Sequence, residues 1–276
     1  MSKLGRVSET LSDNFDEDLL LQEPISVWRR TFKRLLSRRS GKIGLFLIGF
    51  IFLIAFTAPI IAPYDPHEVL IGKEIVKLKK REGPCIHMLG CDSAKPQHIM
   101  GIDGNYRDQF SRIIYGSRIS LSIGFSTVSF AVVGGVLLGA LAAFFGGWID
   151  NIIMRVMDVI LGFPSLLLAI AIVAVLGPGI RNALLAIAIV TLPAYARLTR
   201  ASVLTVKELD FVKASIALGA SPTRLLLFRI LPNSLTPVVV LATLGIATAI
   251  LDAAGLSFLG LGAQPPTPEW GTMLGS

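Results

Sequence analysis

Charged residues are scarce in this sequence. Asp, Glu, Lys and Arg together make up only 16% of the 276 residues, whereas 53% are hydrophobic and the mean hydropathy is +0.67. Water-soluble domains usually have an apolar fraction of about 45–50%. The shortage of charge therefore excludes a water-soluble domain and indicates an integral membrane protein.

The sequence also lacks the residue patterns of an enzyme. No G-x-x-x-x-G-K-[ST] phosphate loop occurs, because Gly41-Lys42 is followed by Ile43 and has no glycine at the required upstream spacing. The three histidines and both cysteines all fall within residues 62–118. We therefore expect no catalytic site, no nucleotide site and no cofactor in this chain.

What the sequence has instead is a series of long apolar runs. About 20 residues are needed to cross the hydrocarbon of a bilayer. The runs predict an all-α polytopic protein with five spans, at residues 43–61, 119–145, 163–176, 182–195 and 235–255. Gly177-Pro178-Gly179 predicts a tight turn between the third and fourth spans.

Basic residues before the first span predict the orientation. They are Arg29, Arg30, Lys33, Arg34, Arg38, Arg39 and Lys42. By the positive-inside rule, residues 1–42 are a cytoplasmic tail, whose residues 25–36 have the spacing of an amphipathic surface helix and whose residues 1–23 read as disordered. This cluster next to a span explains the net charge of +7 without a nucleic-acid partner.

Counting crossings from a cytoplasmic start gives the remaining topology. Residues 62–118 become an external loop, 119–255 a core of four spans, and 256–276 a second external segment. The intervening loop 197–234 is cytoplasmic, and its six basic residues against Glu208 and Asp210 agree with that count. In the external loop, Cys85 and Cys91 could form a disulfide, remain free thiols, or bind metal with His87 and His98; an external compartment favours the disulfide.

The cytoplasmic loop contains a corner between two predicted helices. The first covers residues 205–218, with Val206, Leu209, Val212 and Ile216 on one stripe. Gly219 suits a left-handed position past a helix end, Ser221 an N-cap and Pro222 a first helical turn, so a second helix is expected over 223–231, closing at Pro232. Such a corner is either an ordinary loop or a surface held ready for a partner.

Three stretches resemble one known family. The pattern Lys213-Ala214-Ser215, Gly219 and Leu231-Pro232 is similar to the cytoplasmic signature of permease subunits of binding-protein-dependent ATP-driven importers, although Lys213 replaces a Glu and Ser215 an Ala. Residues 100–124 and 255–274 resemble the second membrane subunit of the dipeptide, oligopeptide and nickel branch, except that Tyr106 replaces a glycine of the motif.

The resemblance implies a function that composition alone does not. It implies one half of a transmembrane pore in an importer of peptides or nickel, partnered by ATP-binding cassette ATPase subunits, a sister permease and an external solute-binding protein. The ATPase-coupling residues would be Lys213, Ala214, Ser215, Gly219, Ala220, Ser221, Pro222, Leu231 and Pro232. The alternative is a stand-alone secondary transporter or channel, which should show charge pairs or broken helices at mid-membrane and an inverted repeat.

Two features of the membrane region stay open at this stage. Asp252, near the outer end of the fifth span, either lines the translocation path or lies in the outer interface. Gly135, Gly139 and Ala143 form a small-residue stripe that indicates close helix packing.

Members of the family branch also have a sixth span after residues 269–271, so we expect this chain to lack it and its carboxyl terminus to be external.

Overall fold

The computed structural model describes residues 35–72 and 79–275. The predicted disordered tail lies outside these residues, as does the predicted surface helix except for Leu35 and Leu36. The described residues are mostly helical and contain no β-strand, only two isolated β-bridges. The all-α fold class is confirmed.

The first helix, α1 (Arg39–Ile61), is apolar along its whole length. It crosses the boundary between two units of the chain, Met1–Leu53 and Ile54–Ser276. All the helices that follow belong to the second unit. Its 23 residues give about 35 Å at 1.5 Å per residue, which is enough to cross the hydrocarbon of a bilayer.

The second unit is built on α2 (Gln109–Phe145) and α5 (Ile180–Lys207), which pack closely along their length. The small residues of α2 explain this. A Cβ on Gly135 would lie 2.5 Å from the Tyr195 Cβ atom, and one on Gly139 would lie 2.3 Å from the Ala196 carbonyl oxygen. Glycine at both positions lets the two backbones approach, as the small-residue stripe predicted.

Between these two helices, α3 (Gly147–Leu161) and α4 (Ser165–Leu176) are bent by 94° at the break before Pro164. With only 12 residues, α4 is about 18 Å long, too short to cross a bilayer by itself. Asn182 closes the turn that follows, donating from Nδ2 to the carbonyl oxygens of Leu176 and Gly177 at 2.9 Å each.

Four helices of the described chain are long and apolar enough to span a membrane, and the bent pair would make a fifth. The predicted number of spans therefore holds only when the bent pair is counted as one. The helices are longer than the predicted spans, since α2 begins at Gln109 within the predicted external loop and α5 continues to Lys207 through Pro193. Hydropathy marks the apolar part of a helix, not its polar ends.

The carboxyl-terminal part consists of α6 (Asp210–Ala217), α7 (Pro222–Leu225), a π-helical turn (Leu226–Ile230), α8 (Leu231–Phe258) and α9 (Trp270–Leu274). Buried side chains of α2, α4, α5 and α8 form the main apolar core. A second apolar cluster joins the ends of α2 and α5 to the segment between α6 and α8.

Candidate functional site

The second unit has two ends, and each carries a distinct polar structure. At one end Gly179 donates to the Leu261 carbonyl oxygen and the Trp270 indole donates to the Ile113 carbonyl oxygen, so the starts of α2 and α5 meet the end of α8. We call residues 62–72, 79–108 and 259–275 the loop cap. The last residues of α2 and α5 lie at the other end, next to residues 208–232. We call residues 208–232 the elbow.

The elbow begins where α5 ends. The sequence predicted one helix over 205–218, but α5 stops at Lys207 and α6 starts at Asp210 after the extended residue Leu209. Of the predicted apolar stripe, Val206 and Val212 are buried, whereas Leu209 and Ile216 are exposed. The break turns α6 so that only part of the stripe faces the bundle.

Gly219 forms the corner of the elbow. Its φ is +81°, and nothing lies within 4 Å of the position a Cβ would take. The Gly219 amide donates to the Ile216 carbonyl oxygen at 2.9 Å, and the Ala220 amide donates to the Ser215 carbonyl oxygen at 3.1 Å. This pair of bonds is a Schellman motif, which requires a left-handed residue at this position and so explains the glycine.

The second half of the elbow differs from the prediction. Ser221 and Pro222 stand at the N-cap and first helical positions, but the Ser221 side chain makes no capping bond. The helix does not close at Pro232: it continues through the π-helical turn Leu226–Ile230 into α8. A proline within a helix has no amide to donate and crowds the preceding turn, and the wider π turn just before Pro232 accommodates both effects.

The elbow is held to the bundle by apolar side chains. Val212 of α6 and Ile230 of the π turn are each fully buried, together with Val203 of α5 and Ala143 of α2. Lys207 adds a polar tie, since its Nζ atom donates to the carbonyl oxygens of Ala143 and Phe144 at the end of α2. These contacts connect the direction of α6 to the positions of α2 and α5.

Several apolar side chains in and next to α6 are exposed. Leu218 is 88% exposed and Ile216 56% exposed, and Leu209 and Phe211 continue the surface. Lys213 lies beside them and pairs with Glu208 at 3.4 Å. Ser215, a departure from the family signature, donates its hydroxyl to the Phe211 carbonyl oxygen at 2.7 Å, so it adds no unsatisfied polar group to this surface.

The loop cap is organised around Arg112, at the start of α2. Its Nη1 atom donates to the carbonyl oxygens of Pro66 at 2.8 Å and Pro266 at 3.1 Å, and its Nε atom lies 3.5 Å from Asp103. Arg107 lies 3.3 Å from the same carboxylate and also donates to Pro266. One buried group of charges thus joins three segments that are far apart in sequence.

A second buried pair fixes the start of α2. Asp108 is its N-cap and accepts a bond from the Ser111 amide at 2.8 Å, while His98 Nδ1 lies 2.8 Å from the same carboxylate and its ring stacks on Tyr64. Burial by itself opposes ionisation of Asp108, but the bonds from His98 and Ser111 outweigh it and hold the pKa of this carboxyl below its ordinary value.

Cys85 and Cys91 of the loop cap form a disulfide, with their Cα atoms 5.4 Å apart. Of the two nearby histidines, His98 faces Asp108, and His87 Nε2 lies 2.7 Å from the Lys95 carbonyl oxygen. Within residues 35–72 and 79–275, no group of three or more His, Cys, Asp or Glu side chains is arranged to hold a metal ion.

Sequence reasoning missed several charged contacts of the bundle. Asp150 and Asp158 of α3 pair with Arg200 and Arg197 of α5. Asp252 is partly buried on α8. The sequence did contain a signal for these pairs. Asp150 and Asp158 are eight residues apart on α3, and Arg197 and Arg200 are three residues apart on α5, so each pair lies on one helical face.

Glu269 of the loop cap was also missed. It is almost fully buried and caps α9, accepting from the Thr272 amide at 3.0 Å, and the Ser120 hydroxyl of α2 lies 3.5 Å from its carboxylate. Gly271 allows α9 to touch α8, since a Cβ there would lie 2.3 Å from the Ala254 carbonyl oxygen. The residues 255–274 that resemble the permeases therefore form a fixed contact between α2 and α8.

Comparison with known proteins agrees with this architecture. Residues 135–276 match the family described as binding-protein-dependent transport system inner membrane component, and residues 26–79 match the N-terminal transmembrane domain of oligopeptide transport permease C. The chain belongs to the binding-protein-dependent transport system inner membrane component family. This confirms the family predicted from the sequence. The chain is therefore a multi-pass inner-membrane permease subunit, which is a transport component and not an enzyme.

Curated relatives are similar over most of the chain. The dipeptide transport system permease protein DppC of Alkalihalophilus pseudofirmus is 45% identical over 91% of this chain and 77% of its own length. The di/tripeptide transport system permease protein DppC of Pseudomonas aeruginosa is 45% identical over 95% of this chain and 82% of its own. The glutathione transport system permease protein GsiD of Pectobacterium atrosepticum is 41% identical over 90% and 77%.

Among solved structures, the MetNI methionine ABC transporter in an inward-facing conformation has a chain that is 20% identical to this one. The alignment covers 55% of this chain and 76% of that chain, with a TM-score of 0.49.

Proposed function

We propose that this chain forms one half of the pore of an ATP-driven importer for small peptides. Its partners would be a sister permease, two ATPase subunits and an external solute-binding protein. The proposal is supported by the family and by relatives at 41–45% identity whose names specify dipeptides, di- and tripeptides, or glutathione. These solutes are all short peptides, so a short peptide is the substrate class that the relatives favour over nickel.

The elbow would face the cytoplasm and the loop cap the outside. Six basic residues against two acids in residues 197–234 support this orientation. The disulfide of the loop cap supports it as well, because disulfides persist in oxidising external compartments. The seven basic residues within residues 29–42 would place the amino terminus in the cytoplasm as well.

The elbow would be the docking surface for the ATPase, which would carry out the nucleotide chemistry as a separate subunit. The observation that carries this proposal is the exposed apolar face of α6, with Leu218 and Ile216 beside the Schellman corner. Apolar side chains grouped on a water-facing corner mark a site of protein contact. Since Val212, on the buried face of α6, packs against α5, movement of the ATPase would be transmitted directly to the bundle.

Cysteine crosslinking tests this assignment. Leu218→Cys and Ile216→Cys should crosslink to the ATPase subunit of the assembled transporter. Lys207, at the end of α5, is a less suitable position because its ammonium group binds the end of α2.

Leu259→Cys is the matched control, because Leu259 is 54% exposed but lies at the loop-cap end of α8. It should give no ATPase crosslink. Crosslinking from Leu259 and not from Leu218 would reverse the proposed orientation, and no crosslink from either elbow position would reject the docking surface.

For Asp252 we propose a place beside the translocation path. It lies on α8 one turn from Leu256 of the main core, only partly buried. A carboxylate within a membrane-spanning helix is costly unless it contacts water or a cationic group. A peptide substrate carries such a group, its ammonium. Asp252→Asn should then lower uptake more than Asp252→Glu; equal uptake by both would place Asp252 in the outer interface instead.

A further inference from the structure

Tyr106 of the loop cap has an unusual backbone conformation. Its φ is +60°, a region that glycine adopts freely and that a residue with a large side chain rarely adopts. The resembling permease motif has glycine at this position. A tyrosine here accepts a backbone strain that glycine would avoid, and strain of this kind is concentrated at functional sites.

The neighbouring backbone holds Tyr106 in place from both sides. Asp103 Oδ1 accepts bonds from the amides of Asn105 and Arg107, each at 2.8 Å, which fixes the turn around Tyr106. The Tyr106 amide donates to the Asp103 carbonyl oxygen at 3.2 Å, and its own carbonyl oxygen accepts from the Leu70 amide at 2.9 Å. The backbone that carries the ring is therefore fixed by hydrogen bonds on both sides.

The ring forms part of the wall of an open cavity of about 530 Å³. Ile71, Pro265 and Pro266 supply apolar surface there, and the Lys80 ammonium lies 5.9 Å from the centre of the Tyr106 ring. The proline pair comes from the segment after α8, so the cavity lies where the separate parts of the loop cap meet. It has the apolar surface and the few polar groups that a binding pocket needs.

The charge of the cavity indicates what it would bind. Among the residues that the structure describes, its lining contains Lys80, His67 and Arg107 and no Asp or Glu. Arg107 is buried and paired with Asp103, whereas Lys80 is exposed. An exposed ammonium beside an aromatic ring and prolines is complementary to a carboxylate carried on a protruding loop of another protein.

We propose that this cavity receives an acidic side chain of the external solute-binding protein, with Tyr106 and Lys80 as its main contacts. The inference rests on the proposed function, which places the loop cap outside the membrane. It adds to that function a definite contact point for the binding protein. Tyr106 would then be retained, despite the strain, because its ring is needed for this contact.

The decisive variant is Tyr106→Gly, because it removes the ring and relieves the backbone strain at the same time. Its membrane level and thermal stability should equal those of the wild type. The transporter, with its ATPase subunits, is reconstituted, and hydrolysis is titrated with the peptide-binding protein of the same system loaded with a dipeptide. Tyr106→Gly should raise the binding-protein concentration for half-maximal stimulation by about tenfold, as expected for loss of an aromatic interface residue.

Three further variants make the test specific. Tyr106→Phe should behave as the wild type, and Lys80→Glu should weaken stimulation and reduce its dependence on salt. Arg81→Gly is the matched control: Arg81 also has a positive φ, +55°, but does not line the cavity, so stimulation should be unchanged.

The inference is overturned if Tyr106→Gly is stimulated at the same binding-protein concentration as the wild type. It is also overturned if Tyr106→Gly and Arg81→Gly lose ATPase stimulation equally, because backbone flexibility would then be the cause. A loss with Tyr106→Gly but none with Lys80→Glu would also reject the acidic partner. If no binding protein stimulates even the wild-type complex, the proposed function fails, and this result is distinct from all the others.

Discussion

The loop cap and the elbow occupy opposite ends of one bundle and keep their shapes by different means. The loop cap is fixed by polar bonds: a disulfide, the Asp103–Arg107–Arg112 charges and the His98–Asp108 pair. The elbow has no disulfide and no buried ion pair, and it is fixed by apolar contacts of Val212 and Ile230, by one glycine corner and by the bonds of Lys207 to the end of α2. The two ends therefore depend on different residue types.

The reason lies in the contacts available to each end. The loop cap consists of three irregular segments with few apolar side chains, so specific bonds must replace a core. The elbow consists of short helices that bury Val212 and Ile230 against α2 and α5 and leave other apolar side chains, including Ile216 and Leu218, exposed. An end fixed by buried charges suits a rigid platform, whereas an end held on one apolar face suits a part that transmits movement.

The largest expected effect is at the corner of the elbow. Gly219→Val places a β-branched residue at φ +81°, at a cost of about 1 kcal/mol or more, although no atom lies within 4 Å to clash with it. The bundle should still insert at near-normal levels. The angle of α6 should change, and we expect loss of ATPase co-purification, substrate-stimulated hydrolysis and uptake.

Gly219→Asn is the control, since asparagine tolerates the left-handed conformation better than other residues with a Cβ. It should retain most of the transport activity. If Gly219→Val transports normally with the ATPase bound, the elbow is an ordinary connecting loop and the comparison between the two ends loses its functional meaning.

The helix pair that connects the two ends should give the next largest effect. A Cβ on Gly139 would lie 2.3 Å from a backbone oxygen and 2.9 Å from the Thr199 Cβ atom, so Gly139→Ala must separate α2 from α5. Overpacking of this kind costs about 1–3 kcal/mol, and the amount of protein in the membrane should fall. Gly134→Ala on the same helix meets only the end of the Leu192 side chain and should be milder; equal levels of the two variants would contradict this packing argument.

These two glycines show how far the sequence could predict the structure. Gly219 was placed correctly at a helix end, because the flanking Ser221 and Pro222 are local signals that act within a few residues. Gly139 was assigned to close packing, but its partner on α5 and the severity of the contact depend on two helices 60 residues apart. Local chemistry predicts corners and spans, and it does not predict which surfaces meet.

The same limit applies to the two ends. The sequence predicted a helix here but not which of its apolar side chains are exposed, because the helix break at residues 208–209 is not signalled by glycine or proline. In the loop cap, the sequence favoured the Cys85–Cys91 disulfide because both cysteines fall in the predicted external loop. It could not indicate that Arg112 joins Pro66 to Pro266, because that contact needs the fold to be known.

The disulfide gives a smaller effect, confined to the loop cap. Closing a short loop of this kind contributes about 2 kcal/mol in the chain-entropy account. A membrane-impermeant maleimide should label neither cysteine in unreduced cells and both after mild reduction. Cys85→Ser should leave Cys91 open to labelling without reductant. Labelling of the wild type before reduction would mean that the loop cap lacks this bond, and would weaken the contrast with the elbow.

The smallest expected effect concerns Asp108 and pH. Because the pKa of this carboxyl is held below its ordinary value in the folded protein, its ionised form stabilises the fold. That stability is present above the unfolded pKa of about 4 and is lost as the pH falls through the lower, folded value. Asp108→Asn should therefore cost about 1 kcal/mol at pH 7, as for loss of an N-cap, and progressively less below about pH 4. Thermal melting of the purified permease complex at a series of pH values measures this difference.

The elbow contains no buried carboxylate among its described residues, so Lys213→Gln, which removes only an exposed ion pair with Glu208, should change the melting temperature little at any pH. A constant difference between the wild type and Asp108→Asn from pH 7 to pH 3 would show that Asp108 acts only through its shape, and that its charge does not hold the loop cap together.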